Sequence, residues 1–384
     1  MFSAKVKELF TSKETPFYHY DLTLLRETIS AVQFLSKKYD FDIHYAVKAN
    51  SNKPILNEMK RAGFGADCVS GNEVLLASEV GFSPESILFA GVGKTDKEIN
   101  AALDTGIKAF NCESFQEIEI LNELANNKAQ IAEISLRINP NIDAKTHKYI
   151  TTGLDENKFG INQADLPALL DALPKLKNIN LTGLHFHIGS QITDMNVFKG
   201  LCLRVNEIQD WLLDRGVHVK HLNLGGGLGI DYQNPDSQSI ADFETYFQIF
   251  NQFLERKPNQ QIHFELGRSI VAQCGNLITR VIYIKQGINT SFAIVDAGMT
   301  ELMRPALYQS YHQIDNLSSS ENIEEYDVVG PICESTDCFG KRVKLPKTKR
   351  GDLIAIRSAG AYGEVMTSNY NLRDKNEATY VESV

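Results

Sequence analysis

Four chemically capable groups stand at the ends of short apolar runs in this chain of 384 residues. Lys48 closes Ile-His-Tyr-Ala-Val-Lys, and His187 closes a second run with Ser190 just beyond it. Gly225, Gly226 and Gly227 follow a third run, and Glu265 ends a fourth. A lysine enclosed by apolar neighbours loses hydration, its pKa falls, and its amine can attack a carbonyl carbon. Standing alone, the same lysine would read as a solvated strand end. Three glycine amides can approach an anion closely, with the Ser190 hydroxyl as a further donor. The stretch is not a dinucleotide fingerprint, because Ile230 follows Gly229 where a third spaced glycine should stand. A plain tight turn is its alternative. His185 and His187 share a strand face and could ligate a metal, as in a metal-dependent hydrolase. That reading wants further His or Asp at the other strand ends, where Lys48 and Gly225 stand instead.

The elements that must position these groups follow a regular alternation. Strands are expected at 43–48, 65–69, 86–90, 108–111, 132–138, 181–187, 219–224 and 261–265, with amphipathic stretches at 54–62, 72–80, 96–103, 115–124, 197–213 and 242–254. Eight strand–helix repeats in about 225 residues predict an α/β fold, a (β/α)8 TIM-like barrel over 24–273, with an open doubly wound sheet as the alternative. After residue 273 the texture becomes β-rich, with strands expected at 277–284, 291–296, 326–329, 342–345 and 353–356. This predicts a second, all-β domain (a barrel or sandwich) over 274–384. The opening strand-like TPFYHYD makes that domain discontinuous, with 1–23 joining it. The connection from Asn139 to about Gln163 shows no period, and connections of that length are commonly functional.

A barrel of this type carries its site at the C-terminal strand ends. That rule brings Lys48, His187, the glycine run and Glu265 to one mouth. The His187 imidazole can stack on an aromatic ring there. A carboxylate at Glu265, facing a pyridine nitrogen, favours the protonated ring. Lysine, phosphate cradle, ring stacker and pyridinium partner together describe a site for pyridoxal phosphate.

Composition limits the partners. With 39 basic against 48 acidic residues the net charge is −9, and no basic stripe suited to nucleic acid is present. The six cysteines have no regular spacing, so reduced thiols of a cytoplasmic protein are expected. Charges at Lys5, Lys7 and Glu8 break any signal-peptide core, and no apolar run approaches the ~20 residues that span a bilayer.

The motifs YAVKAN (45–50), HFHIGSQ (185–191), GGGLGI (225–230), ELGRS (265–269), RPALYQSYH (304–312), GPICESTDC (330–338) and GAYG (360–363) resemble, in order, those of the alanine-racemase-like, fold-type III decarboxylases. RINPNIDAKTHKYITTGLDENKFG (137–160) extends the likeness through the long connection. Within that family it is nearest to the members that convert diaminopimelate to lysine and carbon dioxide at the end of lysine synthesis. The resemblance implies that Lys48 carries the cofactor, His187 stacks on it and Glu265 faces its ring nitrogen. It further implies that Ser190, Gly225, Gly226, Gly227, Gly267, Arg268 and Tyr362 complete the cofactor site. Arg268, Arg304, Tyr308, Glu334 and Tyr362 fall where the family binds substrate, and Cys333 and Glu334 where it shares its site across a homodimer, the thiol as proton donor. Metal is not implied. Ornithine, arginine and lysine offer only a cation at their far end, whereas diaminopimelate offers an ammonium and a carboxylate, which suits Glu334 beside Arg268 and Arg304. The chain departs from the family at Leu266, where proline is usual, and in NYNLRDK (369–375).

Overall fold

The structure, a computed structural model, describes residues 2–142 and 158–382. The middle of the expected functional connection, 143–157, lies outside the described residues. The chain opens with helix α1 (Ala4–Thr11), strand β1 (Phe17–Asp21) and helix α2 (Leu22–Tyr39). Eight strands then pair in parallel: β2 (Phe41–Ala46), β3 (Gly65–Cys68), β4 (Ile87–Phe89), β5 (Ala109–Cys112), β6 (Ala132–Arg137), β7 (Ile179–His185), β8 (His221–Asn223) and β9 (Gln261–Leu266). β9 returns to β2, with Phe41 opposite Ile262 and Tyr45 opposite Leu266, so the barrel closes in sequence order.

Helices α3 (Lys53–Arg61), α4 (Gly71–Val80), α5 (Asp96–Thr105), α6 (Phe115–Asn127), α7 (Leu166–Ala172), α8 (Met195–Leu213) and α9 (Phe243–Phe253) connect the strands. Three successive helices begin on one local signal: Ser70, Thr95 and Ser114 accept from the amides of Glu73, Glu98 and Glu117. Each glutamate reaches back to a main-chain amide, Val69, Thr95 or Glu113, which satisfies another otherwise orphaned donor. Behind β9 an aromatic cluster seals α8 and α9 to the sheet. Phe264 meets Phe250 edge-on at 4.8 Å between ring centroids, and Phe198 meets Tyr246 in the same way at 4.8 Å.

Two compact units are present: residues 29–229 with 242–267, and residues 1–28, 230–241 and 268–384. The second is built on a sheet of strands β10 (Gly275–Gln286), β11 (Ser291–Val295), β12 (Ile314–Asn316), β13 (Ile323–Val329), β14 (Cys338–Pro346), β15 (Leu353–Ile356) and β16 (Thr379–Val381). β10 changes partner along its length. Residues 277–280 pair with β15 and 281–286 with β11, across an irregularity at Val281–Tyr283. β1 pairs antiparallel with β10 and parallel with β16, as the strand-like opening segment implied. The second body is mostly β, as expected, with α1 and a short helix of residues 304–308 beside the strands. The charged opening segment hid α1; Val6 and Phe10 bury one helical face against Phe17 and Ile278. Within the departure at 369–375, Asn371 and Leu372 take left-handed φ of +57° and +53°, so the chain kinks there instead of forming a helical turn, and the last strand lies beyond it.

Candidate active site

Inside the barrel, Glu265 is the hub. Its Oε1 accepts from Asn223 Nδ2 at 2.7 Å and from Asn111 Nδ2 at 3.3 Å, and its Oε2 from His185 Nε2 at 3.1 Å. Asn111 lies on β5 and Glu265 on β9, so this bond crosses the lumen and both side chains point inward. Burial alone would push the Glu265 carboxyl up. The His185 charge and hydrogen bond, with the nearby Lys48 cation, outweigh burial and hold it well below the usual carboxylate range. Asn223 does double duty, since its Oδ1 also accepts from the Gly225 amide at 2.9 Å.

The mouth is set by the turns that follow the strands. The expected strand ends move inward here: β2 stops at Ala46, and Lys48 sits in a 3-10 turn of residues 47–49 closed by Asn50 N–H on Val47 O. β7 stops at His185, two residues before His187. Lys48 Nζ, with 34% of the side chain exposed, lies 3.5 Å from Oδ2 of the fully buried Asp67 on β3. Its surroundings are therefore not the purely apolar wall that the sequence implied. Burial, reinforced by Glu265, pushes the Asp67 carboxyl up to about 8, with Lys48 pulling the other way. His187 Nδ1 accepts from the Gly226 amide at 3.4 Å. Burial, with the charges of Lys48 and Arg137, keeps the His187 imidazole neutral.

The glycine run is sterically obligatory. A Cβ on Gly226 would stand 1.9 Å from Glu265 O, and Gly225 and Gly227 take φ of +67° and +102°. Gly267 packs against Ala46 and Ala49, where a Cβ would meet their side chains at 3.0 and 2.9 Å. Leu266, the departure from the family, is buried and pairs with Tyr45.

The second unit gathers a separate group. Arg268 Nη1 donates to Tyr232 Oη at 2.6 Å and its guanidinium covers the Tyr362 ring at 4.8 Å. Arg304 lies over the Tyr232 and Tyr308 rings at 5.6 and 5.9 Å. It donates from Nε to His312 Nε2 at 3.4 Å and from Nη2 to Ser310 Oγ at 3.2 Å. Arg304 is 5% exposed, yet among the described residues it forms no ion pair with a carboxylate. Burial lowers its pKa. Cys333 and Glu334 belong to another, exposed group: the Cys333 amide donates to Asn371 Oδ1 at 3.3 Å, and Glu334 Oε1 accepts from Tyr370 Oη at 2.9 Å.

Residues 24–272 match the family described as pyridoxal-dependent decarboxylase, pyridoxal binding domain. A diaminopimelate decarboxylase of Bacteroides thetaiotaomicron is 55% identical over 366 residues, 95% of each chain. The chain belongs to the diaminopimelate decarboxylase family. A member from Aquifex aeolicus is 39% identical, covering 98% of this chain and 89% of that relative. A crystal structure of the Helicobacter pylori member complexed with L-lysine superposes with a TM-score of 0.91 at 41% identity, covering 97% of this chain and 93% of that one.

The family's cofactor, pyridoxal phosphate, fits the residues present. Glu265 uses three of its roughly four lone-pair directions, which leaves one for a ring N–H. Among the described residues, both Asp67 oxygens and Asn111 Oδ1 are buried without a hydrogen-bond partner, so the site has polar capacity to spare. Of the residues singled out from sequence, the barrel brings together Lys48, His187, Glu265 and the glycines; the second unit brings together Arg268, Arg304, Tyr308 and Tyr362. Asp67, Asn111, Asn223, Tyr232 and His312 went unrecognised. The first three lie at strand ends of the barrel, where the same positional rule could have found them. Tyr232 follows the glycine motif, and His312 closes RPALYQSYH.

Proposed function

We propose that this protein decarboxylates meso-2,6-diaminopimelate to L-lysine and carbon dioxide with pyridoxal phosphate held at Lys48. One observation carries the substrate: Arg304 is buried among neutral partners and aromatic rings, with no described carboxylate to balance it. An uncompensated buried guanidinium is costly, and the second carboxylate of a diamino diacid relieves that cost where a simple diamine cannot.

Pyridoxal phosphate, when bound, supplies an electron sink for the pair left by the departing carboxylate. Gly225, Gly226, Gly227 and Ser190 hold its phosphate, completed by Gly267, Arg268 and Tyr362. His187, neutral and fixed by the Gly226 amide, covers the ring face. Glu265, pinned ionised by Asn223, Asn111 and His185, keeps a proton on the ring nitrogen. Arg268, Arg304 and Tyr308, with a Glu334 contributed by the other chain of a homodimer, read the far end of the substrate, the arginines its carboxylate and the glutamate its ammonium. The Cys333 thiol, exposed in one chain, donates in the partner's site the proton that takes the place of the lost carboxylate, and the working form is a homodimer. Residues 29–229 with 242–267 act as the cofactor-bearing barrel, with 1–28, 230–241 and 268–384 as the second body, and the reaction belongs to the cytoplasm.

Product analysis tests the reading. Purified protein with added pyridoxal phosphate is given meso-diaminopimelate, its LL isomer, ornithine and arginine separately. Lysine and carbon dioxide are expected from the meso isomer alone. Turnover of ornithine or arginine would overturn the role given to Arg304.

A further inference from the structure

The two arginines of the second unit are held by a network whose hydrogen-bond polarity can be worked out. His312 Nδ1 stands 2.8 Å from the main-chain oxygen of Arg357, which can only accept, so Nδ1 carries the proton. His312 Nε2 faces Arg304 Nε–H, which can only donate, so Nε2 is bare. A protonated imidazole would set two N–H groups against each other, and burial with the Arg304 charge holds the His312 pKa down to about 3. Arg357 is itself fastened by Asn276, Asp315 and Asp236 at 3.0, 2.9 and 2.8 Å. Asp236 belongs to the segment that carries Tyr232, whose hydroxyl accepts from Arg268 and whose ring meets His312 edge-on at 5.1 Å. One anchor, Arg357, thus fixes the partners of both arginines.

We infer that His312 is a positioning residue. As the Nδ1–H tautomer it fixes Arg304 through Nε, and Tyr232 restrains Arg268, so that both guanidinium forks are set in advance for a substrate carboxylate. Among the described residues Arg304 Nη1 has no hydrogen-bond partner, so that end of the fork remains for the ligand. Prior orientation of a planar fork lowers the entropy lost when the carboxylate arrives. The inference rests on the proposed reading of Arg304 and extends it to residues that need not touch substrate.

The test uses binding rather than turnover. L-Lysine keeps the one carboxylate that decarboxylation spares, and 1,5-diaminopentane has none. Their dissociation constants for the cofactor-loaded protein are measured by calorimetry in wild type, H312N, H312Q, Y232F and R304A. The shorter amide side chain of H312N can still donate to Arg357 O but cannot reach Arg304, whereas the longer amide of H312Q can put its oxygen in the place of Nε2.

H312N should bind L-lysine ~10-fold more weakly, the scale of one lost hydrogen bond to a charged group, with 1,5-diaminopentane unchanged. H312Q should return to within ~3-fold of wild type, and Y232F should weaken L-lysine selectively, as expected for a neutral-to-charged bond. If R304A loses L-lysine while H312N and Y232F bind it normally, the positioning role is wrong and the carboxylate reading stands. If R304A also binds L-lysine normally, the carboxylate reading itself fails. Equal loss of both ligands in H312N marks a general structural defect and overturns the inference. Should H312N fail to fold, H312Q decides alone, because L-lysine binding as weak as in R304A is incompatible with the role.

Discussion

Asn223 shows how one amide can serve two parts of a site. It donates to Glu265 and accepts from Gly225, so the carboxylate and the glycine turn cannot move independently. Asn223→Ala should therefore lower kcat by ~10-fold or more, the equivalent of one hydrogen bond to a buried charge, and should weaken cofactor retention on dialysis. Asn223→Asp would place a second acid beside Glu265 and should be worse; equal activity for both variants would disprove the coupling. Lys48→Ala should abolish turnover and also the fixing of cofactor to the chain by borohydride. Survival of either would remove Lys48 from its role. Burial and the Glu265 charge push the Asp67 carboxyl up, which weakens it as a counter-ion for the Lys48 ammonium. Neither Asn223 nor Asp67 lies within one of the sequence motifs. They become visible only when strand ends from distant parts of the chain share one lumen.

Strand alternation produces a second inward-facing layer below Glu265. His44 on β2, His263 on β9 and His221 on β8 form a chain, with His44 Nε2 to His263 Nδ1 and His263 Nε2 to His221 Nδ1 each at 3.1 Å. His44 Nδ1 faces Ser86 O at 3.1 Å and must donate, which fixes every later tautomer in the chain. Around the chain stand Asp42, Lys108 and Glu265. Burial, with Lys108, lowers His44 and His221 to about 4, and burial with His44 lowers His263 further. The sign is set by the unfolded chain. Its histidines take up protons below about pH 6.5 while the folded ones do not until about 4, so stability falls as pH drops through that window. For His44 alone the loss is on the order of 3 kcal/mol when complete. Urea midpoints measured from pH 7 to 4.5 should decline, and the decline should shrink in His44→Asn; a flat profile would remove the chain as its cause. At the same scale, Thr95→Ala should cost about 1 kcal/mol of stability, because Thr95 and Glu98 form a complete capping box.

At the scale of the whole molecule, the exposed Cys333 is the test of a shared site. Mixing Lys48→Ala chains with Cys333→Ala chains should regenerate activity in hybrid dimers, each of which holds one intact site. Verified hybrids without activity would place Cys333 outside the reaction. The dimer itself is checked by light scattering of the loaded protein.

The barrel was legible because short apolar runs and amphipathic stretches are local patterns, and the burial of a parallel sheet demands both. Lys48, His187, the glycines and Glu265 were legible for a related reason, since each ends such a run. The first helix was not, because charged residues cover the exposed face of α1 and only packing on Phe17 and Ile278 reveals the other. The pairing of an acid with Lys48, the convergence of three donors on Glu265 and the tautomer of His312 belonged to the tertiary structure alone. A hydrogen bond's direction and a carboxyl's proton depend on what lies across a few ångströms of space. In this chain those neighbours are separated by 19 residues between Lys48 and Asp67 and by 154 between Asn111 and Glu265. Sequence determined which groups reach the site; their charge states and directions were decided only when the strands closed around them.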